Sequence, residues 1–275
     1  MTHADVLISA AELADHLAEG RAVTVLDVRW RLGQPDGRAA YASGHLPGAV
    51  YVSLEDELSD HTVTGRGRHP LPPGAAVQAA ARRWGVREGV PTVVYDDWNR
   101  AGSARAWWVL TAAGIADVRI LDGGLAAWPG PLRTGTVTPH PGDVIVAHED
   151  LYRGALPTLT ADEIAAFDGV LLDARAPERF RGESEPVDPV AGHIPGAENA
   201  PSTDMLTADG TFRPAADLAA VLDRVRGEVG VYCGSGVTAA VVVAVLRAAG
   251  VESRLFPGSW SQWCADPARP VAVGD

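Results

Sequence analysis

The sequence predicts an α/β protein built from two tandem domains, each a small parallel sheet flanked by helices. Three observations carry this expectation. Short apolar runs of strand type alternate with helix-type segments, as in Thr92–Tyr95, Ser103–Ala113 and Val118–Leu121, which is the order of a parallel sheet with crossover helices. The same landmarks then occur twice, in one order. Finally, the second copy places a cysteine, Cys233, directly between a strand-type run and a helix-type run.

The repetition begins with Ser9-Ala-Ala-Glu12 and Thr160-Ala-Asp-Glu163, both of which read as capping boxes opening an amphipathic helix. Val25-Leu26-Asp27-Val28-Arg29 matches Leu171-Leu172-Asp173-Ala174-Arg175, and Gly44-His45-Leu46-Pro47-Gly48-Ala49 matches Gly192-His193-Ile194-Pro195-Gly196-Ala197. Val93-Val94-Tyr95-Asp96 matches Gly230-Val231-Tyr232-Cys233, and Leu121 to Trp128 matches Phe256 to Trp263. The offset runs from 151 residues (Ser9 to Thr160) to 135 (Leu121 to Phe256). A period this long excludes a solenoid, so each copy is read as a domain. The first spans 1–135 and the second 158–275. The stretch Pro129–Pro157 is rich in Pro, Gly and Thr and supplies a linker over 136–157. Within it, Asp143–Ala147 reads as a short extra strand.

Composition narrows the function. The chain has 275 residues, 47% of them apolar, enough for proper cores. The net charge of −12 argues against nucleic acid as a partner. Every basic residue is arginine, which excludes lysine Schiff-base chemistry and a lysine-based phosphate loop. No stretch reaches the roughly 18 apolar residues of a membrane span, and Met1 to Leu26 lacks a basic region followed by an apolar run, so no secretory leader is expected. Two cysteines 31 positions apart make neither a zinc pattern nor a disulfide framework. A reducing cytoplasm is the expected home, and a monomer the expected state.

The chemistry concentrates in Tyr232-Cys233-Gly234-Ser235-Gly236-Val237-Thr238. Small residues between a strand and a helix let backbone N–H groups converge on one centre, and the helix N-terminus adds partial positive charge. A cysteine there is expected to be held as thiolate, a nucleophilic sulfur in an anion cradle. The first copy carries Asp96-Asp97-Trp98-Asn99-Arg100 at the same turn. It supplies no sulfur, so it is expected to contribute only walls to a site between the domains. A phosphate-cradling cysteine loop would need an arginine six residues after the cysteine, where this chain has Ala239.

These residues together resemble the rhodanese sulfurtransferase family, in its tandem-domain form with an inactive first domain and a catalytic second one. The markers are the two Asp-x-Arg strands, the two Gly-His-[Leu/Ile]-Pro-Gly-Ala motifs, the cysteine loop and the terminal Gly258-Ser-Trp-Ser-Gln-Trp263. The loop Cys-Gly-Ser-Gly-Val-Thr resembles that of the family's 3-mercaptopyruvate branch. Thiosulfate enzymes usually carry basic residues where this chain has Gly234 and Ser235. The resemblance implies covalent transfer through a persulfide on Cys233, with a small anionic sulfur donor and a thiol, cyanide or thioredoxin-like acceptor. It implies no metal or organic cofactor. The amides of Gly234, Gly236, Val237 and Thr238 would hold the sulfur anion.

The resemblance also places Arg179 at the position where the family keeps an arginine for the anionic donor, a role suited to a guanidinium fork. The mercaptopyruvate branch commonly has a second arginine before the Gly-His-Ile-Pro-Gly motif. This chain has Glu185-Pro186-Val187-Asp188 there, so the second grip would come from elsewhere, Arg100 or Arg105 being candidates, and thiosulfate remains open as the donor. A Ser235–His45–Asp36 relay would protonate the leaving enolate, although His193 in the matching motif suggests that both histidines tie down a turn. Asp27 and Asp173 are expected to be structural, Trp260 and Trp263 to pack, and Cys264 to be inert. A degenerate binding module without chemistry is the rival reading, set against the retained Cys233.

Overall fold

The computed structural model describes residues 3–275; Met1 and Thr2, the first positions of the expected first domain, lie outside the described residues. Strands β1 (Leu7–Ile8), β2 (Thr24–Asp27), β3 (Val50–Tyr51), β4 (Thr92–Tyr95) and β5 (Val118–Leu121) form one sheet in the order β1-β5-β4-β2-β3. Strands β6 (Val170–Asp173), β7 (Glu198–Asn199), β8 (Val229–Tyr232) and β9 (Arg254–Leu255) form a second, ordered β7-β6-β8-β9. Every pairing is parallel. Correspondingly, β2, β4 and β8 are buried at each position, as strands covered by helices on both faces must be. The two sheets share one order, with β1 added at the first sheet's edge. In the second sheet that edge is reduced to a single parallel bridge, Thr158 to Leu255.

The halves are fused through their central helices. Helix Ala101–Ala112 follows β4 and helix Ala239–Ala248 follows β8, and the two pack on each other. Both are buried along nearly their whole length, and one apolar cluster runs from Val28 and Trp107 through to Val231 and Val241. Gly102 is required where the first of these helices packs against the end of β2 in its own half, since a Cβ there would meet the Val28 carbonyl at 1.9 Å. Each helix ends with a left-handed glycine, Gly114 or Gly250. Beyond it the next amide reaches back to close the turn, Ile115 to the Leu110 carbonyl and Val251 to that of Leu246.

Repetition in sequence becomes repetition in side-chain bonding. Asp27 pairs with Arg29 (2.8 Å) and Asp173 with Arg175 (2.6 Å), all four buried. Each arginine also donates to the carbonyl of the glycine opening the Gly-His motif, Gly44 or Gly192. The Tyr95 and Tyr232 hydroxyls accept from the amides of Leu46 and Ile194, both at 3.1 Å. The aspartates therefore lace strands to turns. The capping boxes are less symmetric. Thr160 and Glu163 make the full reciprocal pair, whereas Ser9 only accepts from the Glu12 amide, because the Glu12 carboxylate turns to Arg119 at 3.0 Å.

The stretch Asp143–Ala147 is not a strand. Its amides bond the Val86 carbonyl, the Gln78 side chain and the Ala113 carbonyl, so no neighbouring strand edge is available to it. Among the described residues no helix is long and apolar enough to cross a membrane.

Candidate active site

Cys233 directly follows β8 at the carboxyl edge of the second sheet, where open parallel sheets place their ligands. The loop behind it is braced by the terminal Gly-Ser-Trp motif. Ser259 Oγ accepts from the Cys233 amide (3.1 Å), while the Trp260 and Ser261 amides donate to the carbonyls of Cys233 and Gly234, both at 2.9 Å. Ser259 itself is left-handed, with φ of 53°. The backbone then turns back through Gly236, also left-handed at φ 76°, where a Cβ would stand 2.4 Å from the Pro257 carbonyl. This turn aims the Gly236 N–H at Cys233 Sγ, 3.1 Å away. Trp260 and Trp263 pack, as their repeat positions suggest, and Trp260 also frames the sulfur loop.

A cavity of about 270 Å³ opens above Cys233, lined on the loop side by Gly234, Ser235, Val237 and Thr238. The first half closes it with Trp30, Leu32, Arg68, Trp98 and Asn99. The expectation that the sulfur-free copy supplies walls thus describes this cavity.

The side chains that meet Ser235 differ from those expected. The Ser235 hydroxyl meets His69 Nδ1 at 2.8 Å, and His69 Nε2 meets Glu55 Oε1 at 3.2 Å. Glu55 also accepts from Trp30 Nε1 at 2.6 Å. The bond from His69, with help from Trp30, holds its carboxyl at a pKa of about 2. Burial pushes the His69 pKa down against the pull of Glu55. His45 lies elsewhere. Its ring stacks on Tyr41 at 4.3 Å and its Nδ1 bonds the Leu46 carbonyl at 2.9 Å. His193 likewise stacks on Phe180 at 3.8 Å, with its Nδ1 bonded to the Phe180 carbonyl at 2.8 Å, so both histidines of the Gly-His motif fasten turns. Asp36 is exposed and caps the Arg38 amide at 3.0 Å. The Ser235–His45–Asp36 set is therefore replaced by Ser235–His69–Glu55.

Arg179, on the short helix Pro177–Phe180, lines the cavity and is bound by Glu185 at 2.6 Å. The second guanidinium beside it is Arg68, which pairs with Asp188 of the other half. A Cβ on Gly234 would stand 3.0 Å from Arg68 Nη2 and 3.5 Å from Arg179 Nη1, so both cations overhang the loop. Arg100 and Arg105 do not take that place. Arg100 is buried against Asp96 and the Trp98 carbonyl. Arg105 is fully buried and donates to the carbonyls of Leu58, His69 and Gly236. Burial lowers its pKa to about 10 against the attraction of Tyr152, Cys233 and Glu55. It locks the His69 backbone to the sulfur loop. Arg181 pairs with exposed Glu183, a surface contact. The Cys264 thiol is raised to about 11 by burial and by Asp188, and both cysteines are free.

Sequence reasoning missed Arg68 and His69 because the repeat has no counterpart for them, and Glu55 because its repeat position holds Thr203, which is not acidic. The one signal for Arg68 and His69 is Gly65-Arg66-Gly67-Arg68-His69, a basic cluster in a strongly acidic chain.

Comparison with known proteins agrees with this architecture. The family model of the rhodanese-like domain matches twice, over residues 9–130 and 157–266. The protein named thiosulfate sulfurtransferase SseB of Mycobacterium tuberculosis is 64% identical over 98% of this chain and 97% of its own length. A Pseudomonas aeruginosa protein named as a 3-mercaptopyruvate sulfurtransferase is 44% identical over 98% of each chain. The crystal structure of SseA from Escherichia coli, described as a 3-mercaptopyruvate sulfotransferase, superposes with a TM-score of 0.80 at 32% identity, covering 95% of this chain and all of that one. The chain belongs to the rhodanese family, as a sulfurtransferase with two rhodanese-like domains.

Proposed function

We propose that the protein takes a sulfur atom from 3-mercaptopyruvate, carries it as a persulfide on Cys233, and passes it to a thiol, cyanide or thioredoxin-like acceptor. The observation that carries the donor assignment is the Ser235–His69–Glu55 chain beside the cysteine. The Cys233 thiolate attacks the donor sulfur, the carbon–sulfur bond breaks, and its electron pair forms the enolate of pyruvate. The proton on the donor's thiol must then reach the enolate carbon. His69, with Nε2–H donated to Glu55, leaves Nδ1 as acceptor for the Ser235 hydroxyl, so the pair can take that proton and return it. Arg179 and Arg68 bind the carboxylate, and the Gly236 amide, with those of Gly234, Val237 and Thr238, supports the sulfur anion. Splitting the transfer at a covalent intermediate lets two unrelated partners share one site.

Thiosulfate is the second reading, favoured by the name of the Mycobacterium tuberculosis relative. There the outer sulfur moves to Cys233 and sulfite departs with the electron pair, needing no proton. Two free cysteines fit a reducing compartment, the cytoplasm, and the buried junction between halves fits a monomer.

The test is mass spectrometry of the protein after exposure to each donor. A gain of one sulfur atom on the Cys233 peptide, lost on adding cyanide and absent in Cys233→Ser, is expected. Full turnover in Cys233→Ser would reject the mechanism.

A further inference from the structure

The cations at the cavity are already matched by anions. Arg68, Arg175 and Arg179 line it, and Asp173, Glu185 and Asp188 sit behind them. The contacts make one unbroken alternating row. Asp173 meets Arg175 at 2.6 Å, Arg175 meets Glu185 at 3.4 Å, Glu185 meets Arg179 at 2.6 Å, and Arg179 meets Asp188 at 3.5 Å. Asp188 then closes the row on Arg68, across the boundary between halves. Three positive and three negative groups leave it without net charge. The arginines offer hydrogen bonds to a donor but no excess positive charge.

We propose that Asp188 is a specificity-determining residue, balancing the donor-binding arginines so that the site takes monoanionic carboxylates and disfavours dianionic donors. This rests on the reading of the cavity as the donor site. The physical reason is the unequal scaling of two effects. The Coulomb energy of a bound anion grows linearly with its charge, whereas its desolvation cost grows as the square of that charge. In a neutral cluster the dianion therefore meets the larger cost with no matching attraction. Asp188 is the member that decides this balance. Its side chain is 4% exposed, and it alone touches both Arg68 and Arg179. Asp173 is committed to the strand–turn lacing, and Glu185 also caps the amides of Val187 and Asp188.

The experiment uses pyruvate as monoanion and sulfate as dianion, binding to Cys233→Ala and read by the fluorescence of Trp30 and Trp98 at the cavity wall. Asp188→Asn in that background should tighten pyruvate about threefold and sulfate about tenfold, roughly the square, because each extra ligand charge feels the same added potential. Asp188→Ser should give the same split, and Asp188→Glu should restore the original ratio. Equal changes for the two anions, or weaker binding of both, would show that Asp188 only positions the arginines and would overturn the inference alone. If neither anion bound any variant, the donor-site reading would fall with it.

Discussion

Ser235 and His69 stand 166 positions apart in the chain, in opposite halves of the repeat, yet their side chains meet at 2.8 Å. Arg105 fixes the contact from behind, bonding the His69 carbonyl at 2.9 Å and the Gly236 carbonyl at 3.2 Å. The sulfur loop of one half and the relay of the other are thus tied to a single guanidinium. The Ser235–His69 contact exists only in the assembled two-domain chain.

That relationship gives a donor-dependent prediction. His69→Gln should lower kcat with 3-mercaptopyruvate by about 10²–10⁴, the usual weight of a positioned acid–base group. With thiosulfate it should change kcat little, since sulfite leaves without a proton. Parallel kinetics with both donors check this, and an equal loss on both would remove His69 from proton transfer.

The pH profile has a defined sign. The relay works while the His69 imidazole is neutral, above its pKa, and burial holds that pKa below the ordinary 6.5. Activity with mercaptopyruvate should persist into mildly acidic solution and fall only below that value. Glu55, Arg105 and His61 all act on the imidazole, and Glu55 alone among them raises its pKa. Glu55→Gln should therefore move the acid limb to still lower pH. Glu55, titrating at about 2, stays ionised throughout. A limb shifted upward in Glu55→Gln would contradict the assignment.

Gly236→Ala tests the sulfur loop. The position combines a left-handed backbone with a carbonyl 2.4 Å from the added carbon, and strain of this kind costs on the order of 1–3 kcal/mol. Thermal melts should show a lowered Tm, and persulfide formation should be lost, because the amide that faces Sγ is displaced. A variant with wild-type Tm and full sulfur loading would refute the loop's dependence on glycine.

Arg179→Ala should raise KM for anionic donors about tenfold or more, the effect of losing ~1.4 kcal/mol of binding, while the fold persists. Glu185 keeps a partner in Arg175 at 3.4 Å, so the loss is not compounded by an abandoned buried carboxylate. Steady-state kinetics read the outcome, and an unaltered KM would take Arg179 out of the donor site.

The amino-acid sequence by itself determined the parallel α/β architecture, the duplication, and the one turn able to hold a nucleophilic sulfur. Strand runs, glycine turns and the Cys233 loop are local features, legible wherever short stretches of chain dictate backbone shape. It also singled out Arg179 and Ser235, which line the cavity at Cys233. The tertiary structure alone decided the partners. His45 looked suited to the relay but is spent on Tyr41 and Leu46 in its own turn, while His69 and Arg68 come from a segment with no repeat counterpart and reach across to Ser235 and Asp188. Which side chains meet across two packed halves depends on helix-on-helix docking between Ala101–Ala112 and Ala239–Ala248. That docking is a three-dimensional fit between buried surfaces, and no spacing along the chain encodes it.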